Sequence, residues 1–311
     1  MERLTSEGGV PAHLRGAVIA LGNFDGFHLG HQAVVARAID RARAQGRPAI
    51  VATFDPHPVR LFVPDAPPFR LTTLDQRERL FAAAGADAML VFQFTRELAS
   101  RSAEEFVAML AQDFGAAGVV TGEDFTFGKG RGGNIAVLRD LGAKLGLFAE
   151  AVAPVVDETG EAISSSRIRD ALVAGDCATA TRLLSRPFAI EGVVIDGDKR
   201  GRTIGFPTAN VELANYLRPA YGIYAVRVRL PNERVMGGAA SLGIRPMFDP
   251  PKELLETYLL DFDGDLYGKT LEVALVERLR DEEKFDSLDA LVAQMDADVA
   301  RTRAILMPAR A

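Results

Sequence analysis

The sequence predicts an α/β chain of two parts: a parallel sheet with crossover helices, then a small β-barrel or sheet capped by a terminal helix. Three observations predict it. From residue 17 to about 155, apolar strand-like runs alternate with helical patterns, as a parallel sheet with crossovers requires. After about residue 187 the apolar residues recur with a period of two. A chain of 311 residues also exceeds the comfortable size of one core.

The first element, Ala17-Val-Ile-Ala-Leu21, is a short apolar strand running into Gly22-Asn-Phe-Asp-Gly-Phe-His-Leu-Gly-His31. Gly22, Gly26 and Gly30 are expected to let the chain turn sharply and approach a ligand closely. Val34, Val35, Ala38 and Ile39 then give one apolar helical face, which puts His28 and His31 at the helix start. Unpaired N–H groups and the positive end of the helix dipole attract phosphate there. Two imidazoles three residues apart can donate to the same anion. Two of the chain's four histidines fall in this His-x-Gly-His.

Ala49 to Phe54, Ala88 to Phe92 and Gly118 to Thr121 read as buried strands. Thr73 with Gln76, and Ser102 with Glu105, have capping-box spacing, and Gly85 is placed to stop the first of these helices. Asp55-Pro-His-Pro58 ends a strand at the edge where ligands sit in open α/β sheets, although His57 also fits a rigid turn. Gly122 to Asn134 holds five glycines, two aromatics and two cations, a loop able to cover a flat ring and its phosphate or simply to connect.

Helices are expected over 163–174 and 178–184, and Ser185-Arg-Pro187 breaks the pattern. The boundary is therefore placed near 185, giving domains 1–185 and 186–311. In Ile163-Ser-Ser-Ser-Arg-Ile-Arg169 the serines supply an N-cap, while Arg167 and Arg169 are expected in the first turn, where the dipole disfavours cations. A bound anion would relieve that conflict, and so would solvent or pairing with Glu158 or Glu161.

In the second part, Tyr224 to Leu230 alternates apolar residues with Arg227 and Arg229. Leu255 to Phe262 and Leu271 to Val276 read as strands joined by a turn at Asp263-Gly-Asp265. Leu288, Leu291, Val292, Met295 and Val299 form the expected apolar stripe of the last helix. Gly197 to Asn210 concentrates glycines and cations suited to phosphate, with Thr208 and Asn210 as hard oxygen ligands for magnesium; a solvated hairpin loop has similar composition. Glu256 is an acid in mid-strand, either a base for a substrate hydroxyl or a solvent-facing residue.

Composition narrows the function classes. Hydrophobic residues at 48% and charged residues at 25% are ordinary for a soluble globular protein. A formal charge of −6 argues against broad nucleic-acid binding. Cys177 is the only cysteine, which excludes an intramolecular disulfide and a cysteine metal cluster. With no membrane-length apolar run and no signal-peptide core in residues 1–16, the expected location is the cytoplasm.

Several motifs in order resemble the bacterial bifunctional riboflavin kinase and FMN adenylyltransferase family, also called FAD synthetases. They are Gly22 to His31, Asp55 to Pro58, Gly122 to Gly128, Ile163 to Arg169, Gly205-Phe-Pro-Thr-Ala-Asn210 and Asp261-Phe-Asp-Gly-Asp-Leu-Tyr-Gly268. The resemblance implies a Rossmann-like nucleotidyltransferase domain that adenylylates FMN to FAD, then an antiparallel β-barrel riboflavin kinase domain with a terminal helix that makes FMN from riboflavin. It implies ATP as co-substrate of both reactions, Mg2+, and small-molecule partners with no nucleic acid or membrane. His28 and His31 would hold ATP phosphates beside Gly22, Asn23, Phe24, Gly30 and Arg167, with Ser165 and Arg169 on the leaving pyrophosphate. Asp55, Pro56, Asp124, Phe125, Phe127 and Asn134 would lie near flavin. In the kinase, Gly197, Lys199 and Arg202 would contact phosphate, Thr208 and Asn210 the metal, and Glu256 would be the base.

The chain departs from the family at Ser241 and Met247, at Tyr258 where histidine is common, and at Ser185 where glycine is common. An alternative reading keeps only the adenylyltransferase active, with the barrel a weakened flavin-binding module. Cytidylyltransferases and aminoacyl-tRNA synthetases share the His-x-Gly-His turn but do not account for residues 197–268.

Overall fold

Strands that are apolar on every residue must be covered on both faces, and the first half is built that way. In a computed structural model describing residues 1–196, 204–245 and 252–306, the chain divides into two compact units. One is Met1–Pro67 with Thr73–Ser164, and the other is Pro68–Thr72 with Ser165–Ala311.

The first unit runs β1 (Glu2–Thr5), β2 (Val18–Leu21), α1 (Leu29–Ala44), β3 (Ala49–Asp55), α2 (Pro58–Phe62), α3 (Leu74–Ala84), β4 (Ala88–Gln93), α4 (Arg96–Ser100), α5 (Ala103–Ala108), β5 (Gly118–Gly122), α6 (Ile135–Lys144) and β6 (Phe148–Val152). Its six-stranded sheet has the order β1-β4-β3-β2-β5-β6, and every pair is parallel. Alternate residues of one strand serve opposite cores. Val18 and Ala20 join Val35, Ile39 and Phe81, whereas Ile19 and Leu21 join Phe92, Phe106 and Leu138. The order reverses at β2, which lies between β3 and β5, so the crevice for a ligand opens at the carboxyl ends of β2 and β5.

Both expected capping boxes form, at Thr73 with Gln76 and at Ser102 with Glu105, and Gly85 ends α3 with φ of 95°. The edge strands β1 and β6 were not expected. β1 is exposed on most residues and β6 is half-buried throughout, so neither carries the continuous apolar run that marks the four inner strands.

The second unit begins with α7 (Ser165–Val173) and α8 (Cys177–Leu184). It continues through β7 (Phe188–Ile195), β8 (Thr208–Glu212), β9 (Gly222–Arg229), β10 (Val235–Arg245), β11 (Lys252–Leu259), β12 (Thr270–Arg280) and α9 (Leu288–Leu306). The six strands close into an antiparallel barrel in the order β10-β11-β8-β7-β12-β9. On β9, Val226 and Val228 are buried while Arg227 and Arg229 are exposed, the alternation expected from sequence. Cys177 is buried, and burial pushes its thiol up to about 11, which makes it an inert packing residue.

Of the apolar stripe expected on α9, Leu291, Val292, Met295 and Val299 are half-buried and only Leu288 departs. Leu288 is exposed, and the most buried positions of the helix are Asp298 and Thr302. Arg280 of β12 accounts for the burial of Asp298, because its guanidinium donates to both carboxylate oxygens, at 2.8 to 3.1 Å. Arg303 adds a pair with Asp261 at 2.6 and 2.7 Å. The helix face is chosen by charge pairing as well as by apolar contact.

Candidate active sites

At the end of β2, the Leu21 carbonyl accepts from Thr121 Oγ1 of β5 at 3.1 Å, and Gly22 N donates to Ala52 O of β3 at 3.2 Å. The loop that follows turns by left-handed backbone at Phe24 (φ 49°), Gly26 (φ 86°) and Phe27 (φ 45°). Of the three glycines expected to allow both a sharp turn and close approach, Gly26 makes the left-handed turn, while Gly22 and Gly30 permit close approach of neighbouring rings. A Cβ on Gly30 would meet the His28 ring at 3.1 Å, and one on Gly22 would meet the Phe24 ring at 3.0 Å. A non-glycine residue in this conformation costs on the order of 1 to 2 kcal/mol. Here Phe81 of α3 offsets it by packing edge-on to Phe24 at 5.9 Å and to Phe27 at 5.1 Å.

His28 is the N-cap of α1, and its Nδ1 accepts from His31 N at 3.3 Å. A ring nitrogen that accepts carries no proton, so the proton of neutral His28 sits on Nε2. The two imidazoles stack with centroids 3.6 Å apart and planes 22° apart, and His31 stands edge-on to Phe24 at 5.3 Å. Both histidines therefore occupy the first turn, as the motif implies. Ile163, two residues before α7, passes this turn: its carbonyl would lie 3.5 Å from a Cβ on Gly30.

The residues expected near flavin divide into ring-bearing and structural groups. Phe127 is a core residue beneath Gly133, packed against Phe106 at 5.4 Å, while Phe125 lies outside it, half-buried and parallel to it at 6.0 Å. Asn134 caps α6, its Oδ1 accepting from Ala136 N and Val137 N at 2.9 and 3.1 Å. Asp124 is exposed, with Oδ1 folded over Gly122. Asp55 and Pro56 end β3, and His57 caps α2 through Nδ1, the turn role also open to it from sequence. Phe24 is 2% exposed, so its side chain supports His31 from within the core.

Sequence reasoning missed Arg77. This α3 residue is 3% exposed and donates from Nη1 to Thr53 Oγ1 at 2.8 Å and to Asn23 O at 3.2 Å. Its signal was a cation four residues before Phe81, on the face that packs inward.

In the second unit, α7 starts at Ser165, so Arg167 falls in its first turn and Arg169 in its second, not both in the first. Arg169 Nε donates to Phe69 O at 2.9 Å, and its guanidinium lies 5.3 Å over the Phe69 ring. On the barrel, Glu256 stands directly opposite Asn210 of β8 on one side and Ser241 of β10 on the other. Opposed residues share a sheet face. The alternate row, Leu255 and Thr257 with Val211, Ala209, Leu242 and Ala240, is almost wholly buried and fills the barrel. Glu256, Asn210, Thr208 and Tyr258 consequently share the outer face, where Asn210 is 6% exposed and Glu256 is half-buried. Asn210 Oδ1 is buried and has no hydrogen-bond partner among the described residues. Gly197, Lys199, Arg202 and Met247 lie outside the described residues.

A family model for FAD synthetase matches residues 10–167, and one for riboflavin kinase matches residues 184–306. Among curated proteins, the bifunctional riboflavin kinase/FMN adenylyltransferase of Escherichia coli strain K12 is 39% identical over 93% of this chain and 92% of its own. That of Pseudomonas fluorescens is 41% identical over 96% and 95%, and that of Bacillus subtilis 38% over 91% and 90%. This chain belongs to the bifunctional riboflavin kinase/FMN adenylyltransferase family. A solved structure described as a macrolide-efflux protein from Streptococcus pneumoniae shares the fold with a TM-score of 0.87 at 34% identity, covering 97% of this chain and 99% of that one. Among the described residues, no helix is long and apolar enough to cross a membrane.

Family membership brings both enzymatic modules, so two activities stand over the reading of an adenylyltransferase with a merely flavin-binding barrel. The departures have places in the fold. Ser185 ends α8 in a left-handed conformation with φ of 61°, the position where a glycine is free of strain. Tyr258 is opposite Thr208 and is held edge-on by Phe206 at 5.1 Å. Ser241, beside Glu256, has Oγ 3.4 Å from Glu282 Oε1.

Proposed function

We propose that the chain makes FMN and then FAD at two separate centres, with adenylylation assigned to residues 1–185 and phosphorylation to 186–311. In the kinase step the ribityl 5′-hydroxyl of riboflavin attacks the γ-phosphorus of ATP. Glu256 accepts the hydroxyl proton, the bond from γ-phosphorus to the bridging oxygen breaks, and ADP leaves. In the second step a phosphate oxygen of FMN attacks the α-phosphorus of a second ATP, and pyrophosphate departs without a covalent enzyme intermediate. His28 and His31 act as donors where negative charge builds on the phosphates, together with the amides of the α1 N-terminus. The observation that carries this reading is the paired imidazoles at the helix start beside the sheet's reversal point.

Asn210 and Thr208 fit a magnesium ion. The buried acceptor Asn210 Oδ1 has no partner among the described residues, and hard oxygens of this kind suit that cation. Bound there, magnesium would neutralise phosphate charge. No group of three or more His, Cys, Asp or Glu side chains among the described residues forms a metal cluster, so phosphate oxygens would complete the coordination. Ser165 and Arg169 are assigned to pyrophosphate from their motif, Arg167 to ATP phosphate, and Asp55, Asp124 and Phe125 to flavin. Gly197, Lys199 and Arg202 are assigned to ATP phosphate in the kinase. The use of ATP supports a cytoplasmic place, and the partners are small molecules.

Incubating the purified protein with riboflavin, ATP and magnesium tests the reading. FMN is expected first and FAD on longer incubation, with both lost on chelation by EDTA. Formation of neither flavin overturns it.

A further inference from the structure

The buried polar and charged side chains of the first unit are Asp25, His28, Thr53, Gln76, Arg77 and Thr121, counted among the described residues. Four of them lie on the β2–α1 loop or at the carboxyl ends of β3 and β5, and Gln76 and Arg77 open α3. Arg77 is the cation of that group. A guanidinium out of water costs several kcal/mol unless its donors are satisfied, so its bonds show what it holds.

Arg77 and Thr53 both donate to one oxygen. Asn23 O accepts from Thr53 Oγ1 at 2.7 Å and from Arg77 Nη1 at 3.2 Å, while the same Arg77 nitrogen donates to Thr53 Oγ1 at 2.8 Å. The Asn23–Phe24 peptide is trans, so a carbonyl drawn toward β3 and α3 turns the Phe24 N–H the opposite way. Phe24 then takes its left-handed conformation and carries the His31 ring on its edge. One helical turn beyond Arg77, Phe81 grips Phe24 and Phe27. Asn23 Oδ1, on the same fixed segment, is buried and has no hydrogen-bond partner among the described residues.

We infer that Arg77 is a positioning residue for the adenylyl-transfer centre. Through the Asn23 carbonyl and Thr53 it sets the peptide plane that aims Phe24 N–H and seats Phe24 under His31. The ligand it serves is the triphosphate of the nucleotide. This inference rests on the proposed adenylyltransferase activity, and the kinase in the same chain provides an internal control.

The experiment measures FMN adenylylation and riboflavin phosphorylation for wild type, Arg77→Met, Arg77→Lys, Thr53→Val and the double variant Arg77→Met with Thr53→Val. A misplaced site loses on the order of tenfold to a hundredfold in rate. Arg77→Met is expected to lower kcat for adenylylation by at least about tenfold while the KM for FMN and the kinase rate stay within about twofold. Arg77→Lys should recover part of the rate. Thr53→Val should act in the same direction, and the double variant should be no worse than the stronger single one, because Arg77 and Thr53 donate to one shared acceptor. If Arg77→Met does not fold, Thr53→Val decides alone. Unchanged adenylylation in the folded variants, or an equal loss of both activities, overturns the inference. A wild-type chain that makes no FAD from FMN overturns the underlying functional reading instead.

Discussion

His28 accepts the backbone N–H of His31 through Nδ1 while the two imidazoles stack 3.6 Å apart. One side chain thus closes the helix N-terminus and leaves the proton of its neutral ring on Nε2, and the two functions are separable by substitution.

Asparagine caps helices as well as any residue but has no imidazole. We expect His28→Asn to keep the thermal midpoint within about 2 °C, while adenylylation falls by about 10² to 10³ in kcat, the cost of removing one preorganised donor. Riboflavin phosphorylation should be unchanged. Stopped assays for both products, beside a melting curve, check this.

Glu256→Gln preserves size and leaves the face shared with Asn210 intact. Losing the base should reduce phosphorylation by about 10² to 10⁴, while FAD formation from supplied FMN continues at the wild-type rate. A kinase rate within a few-fold of wild type would remove Glu256 from the base role.

Ser185 sits at φ of 61°, in the left-handed region that glycine adopts without strain. Ser185→Gly should relieve about 1 kcal/mol of left-handed strain and raise the unfolding midpoint of the second unit by a few degrees. A lower midpoint in calorimetry would show that the Ser185 Oγ bond to Leu184 O, at 2.6 Å, outweighs the strain.

Asp176 caps α8, and the backbone N–H of Thr179 at 2.9 Å is the main reason its carboxyl titrates below the usual aspartate range. A carboxyl depressed in the folded state adds stability that is complete above its unfolded value, about 3.9, and is lost as pH falls through the folded value. Asp176→Ala should therefore cost about 1 kcal/mol at pH 7, with the gap to wild type closing only below about pH 4. Melting curves from pH 7 to 3 check the sign; a gap that widens in acid contradicts it.

Elements whose own residues carry the signal were legible in the sequence. The four inner strands show unbroken apolar runs, both capping boxes show their spacing, and His28 and His31 show a motif in its strand-turn-helix setting. What was not legible depends on partners distant along the chain. β1 is recruited by pairing with β4, Asp298 of α9 is buried against Arg280, and Arg169 is held by Phe69, a hundred residues earlier. Arg77 illustrates the same limit at the site: an arginine in a helix is ordinary until Thr53 and the Asn23 carbonyl are seen beneath it. Periodicity also left the face of Glu256 open, and cross-strand register with Asn210 supplied it.

One chain transfers two different phosphorus atoms of ATP, and labelled ATP distinguishes the two transfers. Wild-type protein is given riboflavin and magnesium with ATP labelled at either the γ- or the α-phosphate, and the flavins are separated over time. γ-Label is expected in FMN and later in FAD, with α-label in FAD alone. Label from the α-phosphate in FMN, or FAD that carries neither label, would contradict the two transfers.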